Sequence, residues 1–241
     1  VRSEGAGPVV DADQEVDETQ PPAVVEGALV DDVGARGHGR AGLFGPAGVA
    51  GGVVFVLRER LEGDDGVAFG PEPVEVGPFV LDALGLEVAA PVQAQLLAYR
   101  DLLERWNRTY NLTAVRDPRQ MIARHLLDSL AIAPHLHGAR ILDVRTGAGL
   151  PGIPLALAQP QRHFVLLDSQ AKRVRFLHHA VIELRLTNAE VVHSRVEHYR
   201  PPTPFDTIVS RAFSHIADFV RLTGSCCAAD GVLLAMKGVL D

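Results

Sequence analysis

The sequence predicts an α/β fold over residues 85–241, a doubly wound parallel sheet. Three observations predict it. Short apolar runs alternate with helical patterns of 10–15 residues, as in a parallel sheet with helical crossovers. A Gly-rich turn follows one run and leads into a helix. An aspartate closes the next run, 19 residues beyond Gly149.

The elements follow in order. Leu96, Tyr99, Leu103, Trp106 and Tyr110 recur at intervals of 3, 4, 3 and 4, one face of a helix. Asp117-Pro118 is a helix start, with Asp as cap and Pro in the first turn. Met121, Ile122, His125, Leu126, Ser129 and Leu130 mark its buried side. A strand over 141–144 ends in the Gly-rich turn, and Pro151 opens the next helix. A strand over 164–167 ends at Asp168, and Ser169 is placed to cap a helix with the stripe Val174, Leu177, Val181 and Leu184. Strands at 191–192, 205–209 and 232–235 follow, with a helix over 215–222 before the last. In such a fold ligands sit at the carboxyl ends of the strands.

The chain has 241 residues, 47% hydrophobic and 22% charged, enough for a packed core in one large domain or one domain with an appendage. Its net charge of −7 hides a split. Residues 1–84 carry 16 acids against 5 Arg and no Lys, a net of −11, whereas 85–241 carry 14 acids against 18 bases, a net of +4. The second value permits a nucleic-acid partner without demanding one.

Residues 1–84 hold 15 Gly, with Gly recurring every few positions from Gly34 to Gly52, which breaks regular structure. The acidic run 11–18 before Pro21-Pro22 reads as solvated. This part is expected to be a low-complexity, acidic, Gly/Val-rich segment, disordered or non-native. Within it, 53–61 has the composition of one short strand or helix. The longest apolar run, 47–57, has 11 residues against the about 20 a membrane helix needs, so no membrane span is expected. No secretory signal is expected either. Two adjacent cysteines, Cys226 and Cys227, make neither a disulfide framework nor a zinc site, so no metal is expected and a reduced, cytoplasmic protein is.

Residues 143–152 read DVRTGAGLPG, with Gly147, Gly149 and Gly152 in the pattern G-x-G-x-x-G. Such a turn lets the backbone approach a nucleoside, and a carboxylate ending the second strand, Asp168, accepts hydrogen bonds from ribose hydroxyls. A dinucleotide and S-adenosylmethionine both suit this geometry. Asp143, four positions before the first Gly, favours a ligand with a cationic amino-acid end.

The segments YNLTAVRDP (110–118), RHLLDSL (124–130), DVRTGAGLPGIPLA (143–156), LLDSQAKRVRFL (166–177), SRVE (194–197), FDTIVSRAF (205–213) and KG (237–238) follow one another in register. Together they resemble the ribosomal RNA small subunit methyltransferase G family, also called glucose-inhibited division protein B. The resemblance implies a Rossmann-like, S-adenosylmethionine-dependent methyltransferase domain over 85–241 with an N-terminal helical part. It implies methyl transfer from S-adenosylmethionine to N7 of a guanine in 16S rRNA, free or in a small ribosomal subunit precursor, by a monomer. It implies that Gly147, Gly149 and Leu150 line the cofactor turn and that Asp168 binds ribose. Val196 and Glu197 resemble adenine-side contacts, and Arg211 a binding position near the cofactor. No general base is implied, because N7 carries a free lone pair.

Two departures qualify the resemblance. Arg145 stands where the family has Gly, and a weakened cofactor site is expected from it. The family continues past KG with an antiparallel strand pair, so a sheet with truncated C-terminal strands and an open edge is expected. Both favour, as an alternative, a catalytically impaired member. A nicotinamide-dependent dehydrogenase fits the Gly-rich turn and Asp168 but has no catalytic constellation at a recognisable spacing.

Other residues have simpler roles. Trp106 and Tyr110 are expected in the core rather than under a base, and His125 and Asp128 to give structural support. Lys172, Arg173 and Arg175 suit rRNA phosphates or a solvated helix face equally.

Overall fold

The computed structural model describes residues 53–58, 88–211, 213 and 215–237. The acidic run 11–18 and the Gly-rich stretch 34–52 lie outside them. The chain runs β1 (Val53–Arg58), α1 (Ala90–Tyr110), α2, β2 (Arg140–Val144), α3 (Gly152–Ala158), β3 (His163–Asp168), α4 (Ala171–Glu183), β4 (Ala189–His193), β5 (Phe205–Ser210), α5 (Ile216–Thr223) and β6 (Cys227–Lys237). Element α2 is composite. It runs from Pro118–Met121 through a π-helical Ile122–Leu127 to Asp128–Ala131.

The described strands form one sheet in the order β1-β6-β5-β2-β3-β4, every neighbouring pair parallel. From β2 the chain steps outward to β3 and β4, then returns to β5 on the other side of β2. The reversal leaves a crevice at the carboxyl ends of β2 and β5, where open α/β sheets bind ligands.

Alternation along the strands divides the core. Phe164 and Leu166 of β3, with Ile141, Val209 and Leu234, face the side covered by α1, α2, α3 and α4. Leu142, Val144, Val165, Leu167, Ile208 and Leu233 face the other side, where Phe219 of α5 and Val196 pack. The α1 stripe holds as expected: Leu96, Tyr99 and Leu103 are buried, and Trp106 stacks on Tyr110 at 5.1 Å and meets Phe176 edge-on at 5.5 Å. Both rings are partly buried against this cluster, in line with the stripe.

Three expectations are corrected. Ser169 does not cap α4: Gln170 is the cap residue, and its amide donates to Asp168 Oδ1 at 2.9 Å. The carboxylate ending β3 thus outcompetes the neighbouring hydroxyl. The 118–131 helix is not uniform, because its middle widens to π geometry. Finally, β6 is not an open edge. Residues 53–58, four of them β-branched or aromatic, pair along it from Val53↔Val232 to Arg58↔Lys237.

Candidate functional site

The site grows from the carboxyl ends of β2, β3 and β5. Asp143, near the end of β2, is completely buried. Its Oδ2 accepts the Thr146 hydroxyl at 2.5 Å and the Gly152 amide at 2.8 Å, bending the chain back so that the first turn of α3 sits over the strand. Its Oδ1 is buried and has no partner among the described residues. Burial pushes the Asp143 carboxyl up to about 7, with the charge of Asp168 adding and the bonds from Thr146 and Gly152 opposing.

The turn between β2 and α3 is fixed by its own backbone. Gly149 and Leu150 amides donate to Thr146 O at 2.9 and 3.0 Å, and the Thr146 amide reaches across to Leu167 O at 3.2 Å. The three glycines serve different ends. A Cβ on Gly152 would lie 2.3 Å from Leu166 and 2.7 Å from Asp143 Oδ2, and one on Gly149 2.4 Å from Ile153. Both glycines are required by close internal packing. A Cβ on Gly147 would meet nothing nearer than 3.9 Å, so this glycine alone of the three faces open space.

Asp168 ends β3 beside that open glycine. The Gly147 amide donates to Asp168 Oδ2 at 3.0 Å, and Arg173 leans on the same oxygen at 3.4 Å. Arg173 is therefore spent partly on this carboxylate. One strand further out, Val196 and Glu197 follow β4 in a 3₁₀ turn. The Val196 side chain is buried among Leu142, Val165 and Leu167, whereas Glu197 is exposed. Leu150 is buried, in the cluster beneath α1.

Arg211 leaves β5 and turns inward. Both terminal nitrogens donate to Arg124 O at 3.1 Å, and Asp128 Oδ2 lies 3.7 Å away. Arg124 O lies in the π-helical segment, where widening frees carbonyls from the regular ladder. His125 there donates from Nδ1 to Arg124 O (2.9 Å), and its Nε2 accepts the Thr113 hydroxyl (2.8 Å), engaging both ring nitrogens. Burial holds its pKa down at about 4, so the ring is neutral. The structural role expected for His125 and Asp128 holds, through separate partners.

Arg145 adopts φ 58, the left-handed region that disfavours a side chain. Its side chain is exposed and lays its guanidinium over the ring of Phe213, 5.0 Å from the centroid.

Sequence reasoning left three tethers of this site unnamed. The Tyr99 hydroxyl donates to Ala148 O at 2.7 Å, pinning α1 to the turn. Thr146 holds Asp143. The Ser210 hydroxyl donates to Val144 O at 2.8 Å, clipping β5 to β2. The signal for the first was present: a tyrosine in a fully buried stripe needs an acceptor for its hydroxyl.

A family model described as GidB: rRNA small subunit methyltransferase G matches residues 92–241. The chain is 56% identical over 158 residues to a ribosomal RNA small subunit methyltransferase G of Ectopseudomonas mendocina, covering 65% of this chain and 74% of that one. It is 49% identical over 161 residues to the protein of that name from an Enterobacter species, covering 67% and 78%. Among solved structures, the YcgJ protein of Bacillus subtilis is 22% identical with a TM-score of 0.40, covering 46% of this chain and 50% of that one. On the family match and the level of identity, the chain belongs to the GidB family, rRNA small subunit methyltransferase G.

Proposed function

We propose that this protein transfers the methyl group of S-adenosylmethionine to N7 of a guanine in 16S rRNA. One observation carries the reading: the strand-end carboxylates Asp143 and Asp168 bracket an open glycine turn in a chain of this family.

The residues present fit the cofactor. The buried, unpartnered Asp143 Oδ1 suits a nearby cationic group better than a neutral one. Gly147 leaves open space for an added Cβ beside Asp168, on the side where a ribose would lie. Asp168 would hold the sugar, the 147–150 turn would line the methionine side, and the segment at Val196 and Glu197 the adenine side. Arg211 shapes the field from within, because its charge opposes the upward shift at Asp143. The cofactor supplies a methyl carbon made electrophilic by its sulfonium.

The chain's own residues then hold and desolvate the reacting groups. Guanine N7 needs no proton removed. The neutral, doubly bonded His125 accordingly serves as a brace rather than a base, and Arg211 locks the π-helical segment against the end of β5.

The substrate is 16S rRNA or a precursor of the small subunit, met in the cytoplasm by a monomer. No helix among the described residues is long and apolar enough to cross a membrane. The reading rests on the 85–241 domain, with residues 1–84 taken as the low-complexity, acidic Gly/Val-rich segment read from the sequence.

Arg145 favours a second, narrower reading, an enzyme of reduced activity, because the residue is strained and charged at the mouth of the turn. The experiment is the same for both. Isotopically labelled methyl transfer to 16S rRNA and to small subunits is measured, with N7-methylguanine located by base-specific strand cleavage. Label at one guanine N7 supports the reading. Transfer restored only by Arg145→Gly supports the reduced enzyme, and no transfer by either chain overturns both.

A further inference from the structure

Phe213 stands beside the crevice between β2 and β5, the end of the sheet where open α/β folds bind ligands. It lies three residues beyond the end of β5, and Arg145 lies one residue beyond the end of β2. The two strands are neighbours, paired through Asp143↔Val209. Phe213 and Arg145 thus flank the crevice at the topological switch from opposite sides. Phe219, fully buried in α5, backs the Phe213 ring at 5.2 Å. Phe213 itself is half-buried, and the Arg145 guanidinium lies over it.

A guanidinium is flat and cationic, and it stacks on aromatic faces because the ring quadrupole is negative there. A purine methylated at N7 is also flat and cationic. N7 forms its bond to the methyl carbon as the carbon–sulfur bond breaks toward sulfur, so the positive charge passes to the purine ring. An aromatic face under that ring holds the charged product side more strongly than the neutral base, which is differential binding in the direction of the reaction. Resting on the proposed function above, we infer that the Phe213 face is the stacking platform for the target guanine. Arg145, the cation that covers it in this structure, is the plug the base displaces.

Two small probes test this on the full chain: 7-methylguanosine 5′-monophosphate and guanosine 5′-monophosphate, titrated by nuclear magnetic resonance. The methylated nucleotide binds more tightly than the unmethylated one. Phe213→Leu, which keeps an apolar contact for Phe219, abolishes that preference, and Phe213→Trp enlarges it. Arg145→Asn, which tolerates the left-handed backbone without a guanidinium, raises affinity for the methylated probe about two- to fivefold, the weight of an exposed cation–π contact. Retained S-adenosylmethionine binding and an unchanged melting transition show that the Leu and Trp variants are folded.

Equal binding of the two nucleotides, no binding of either, or a preference that survives Phe213→Leu would overturn the platform. An Arg145→Asn chain with unchanged or weaker affinity would overturn the plug. Methyl transfer to 16S rRNA by the unaltered chain separates the two levels. Transfer with an unchanged RNA KM in Phe213→Leu sinks this inference alone, whereas absence of transfer from both the unaltered chain and Arg145→Gly sinks the functional reading beneath it.

Discussion

The Gly147 amide donates to Asp168 Oδ2 at 3.0 Å, tying the turn after β2 to the tip of β3. The same carboxylate receives the Gln170 amide through its other oxygen and so sets the start of α4. One residue organises two chain segments and still borders the open space at Gly147.

The glycines of the turn are expected to respond unequally to alanine. Gly152→Ala drives a methyl group into Leu166 and Asp143, and a destabilisation of about 1–3 kcal/mol follows from overpacking alone. Gly147→Ala meets no neighbour and carries only its backbone penalty, about 1 kcal/mol at φ 63. Urea unfolding of the two variants measures the difference, and Gly152→Ala should be the less stable.

Arg145 at φ 58 is strained in the folded state by about 1–3 kcal/mol. Arg145→Gly removes both that strain and the charge beside the turn. It is expected to raise the melting temperature and to tighten S-adenosylmethionine binding at least about tenfold, or 1.4 kcal/mol. Calorimetric titration checks it, and equal affinities would refute it.

Asp143 makes the protein pH-sensitive. Its folded pKa is raised from 3.8 to about 7, so between those values the folded chain retains a proton that the unfolded chain has lost. Stability from this group is full at the acid end of that window and is lost as pH rises through it. A bound cation reverses the preference by favouring the carboxylate, so S-adenosylmethionine affinity should increase from pH 6 to pH 8 on the order of a pKa unit's weight. Asp143→Asn flattens both profiles and weakens binding. Calorimetry at several pH values in buffers of differing ionisation heat reads the released proton directly.

Strand β1 protects an edge. A Val56→Pro, Leu57→Pro double substitution removes a ladder donor from the middle of β1 whichever of the two adjacent amides faces β6. It should increase aggregation, followed by light scattering on heating, while leaving cofactor affinity unchanged. Unaltered scattering would show that β6 does not need this cover.

The parts of the fold that depend on local pattern were legible in the sequence. The α1 stripe, the Asp117-Pro118 start and the Gly149–Asp168 spacing all reflect short-range geometry, and each lies where the pattern puts it. What escaped depends on contacts between distant segments. The seat of Arg211 on the Arg124 carbonyl, in the π-helical part of α2, spans 87 residues. The pairing of residues 53–58 with β6 joins segments about 179 residues apart, and the composition that marked 53–61 as a short strand or helix named no partner for it. Ser169 shows the limit of local rules: a hydroxyl at a suitable position lost to the carboxylate one residue earlier.

The most direct measurement is calorimetric titration of S-adenosylhomocysteine into the unaltered chain and into Asp168→Asn, which preserves side-chain size. The unaltered chain should bind one equivalent, and the variant should bind at least about tenfold more weakly, a difference of 1.4 kcal/mol. Indistinguishable affinities, or no binding to the unaltered chain, would contradict a nucleoside held at the tips of β2 and β3.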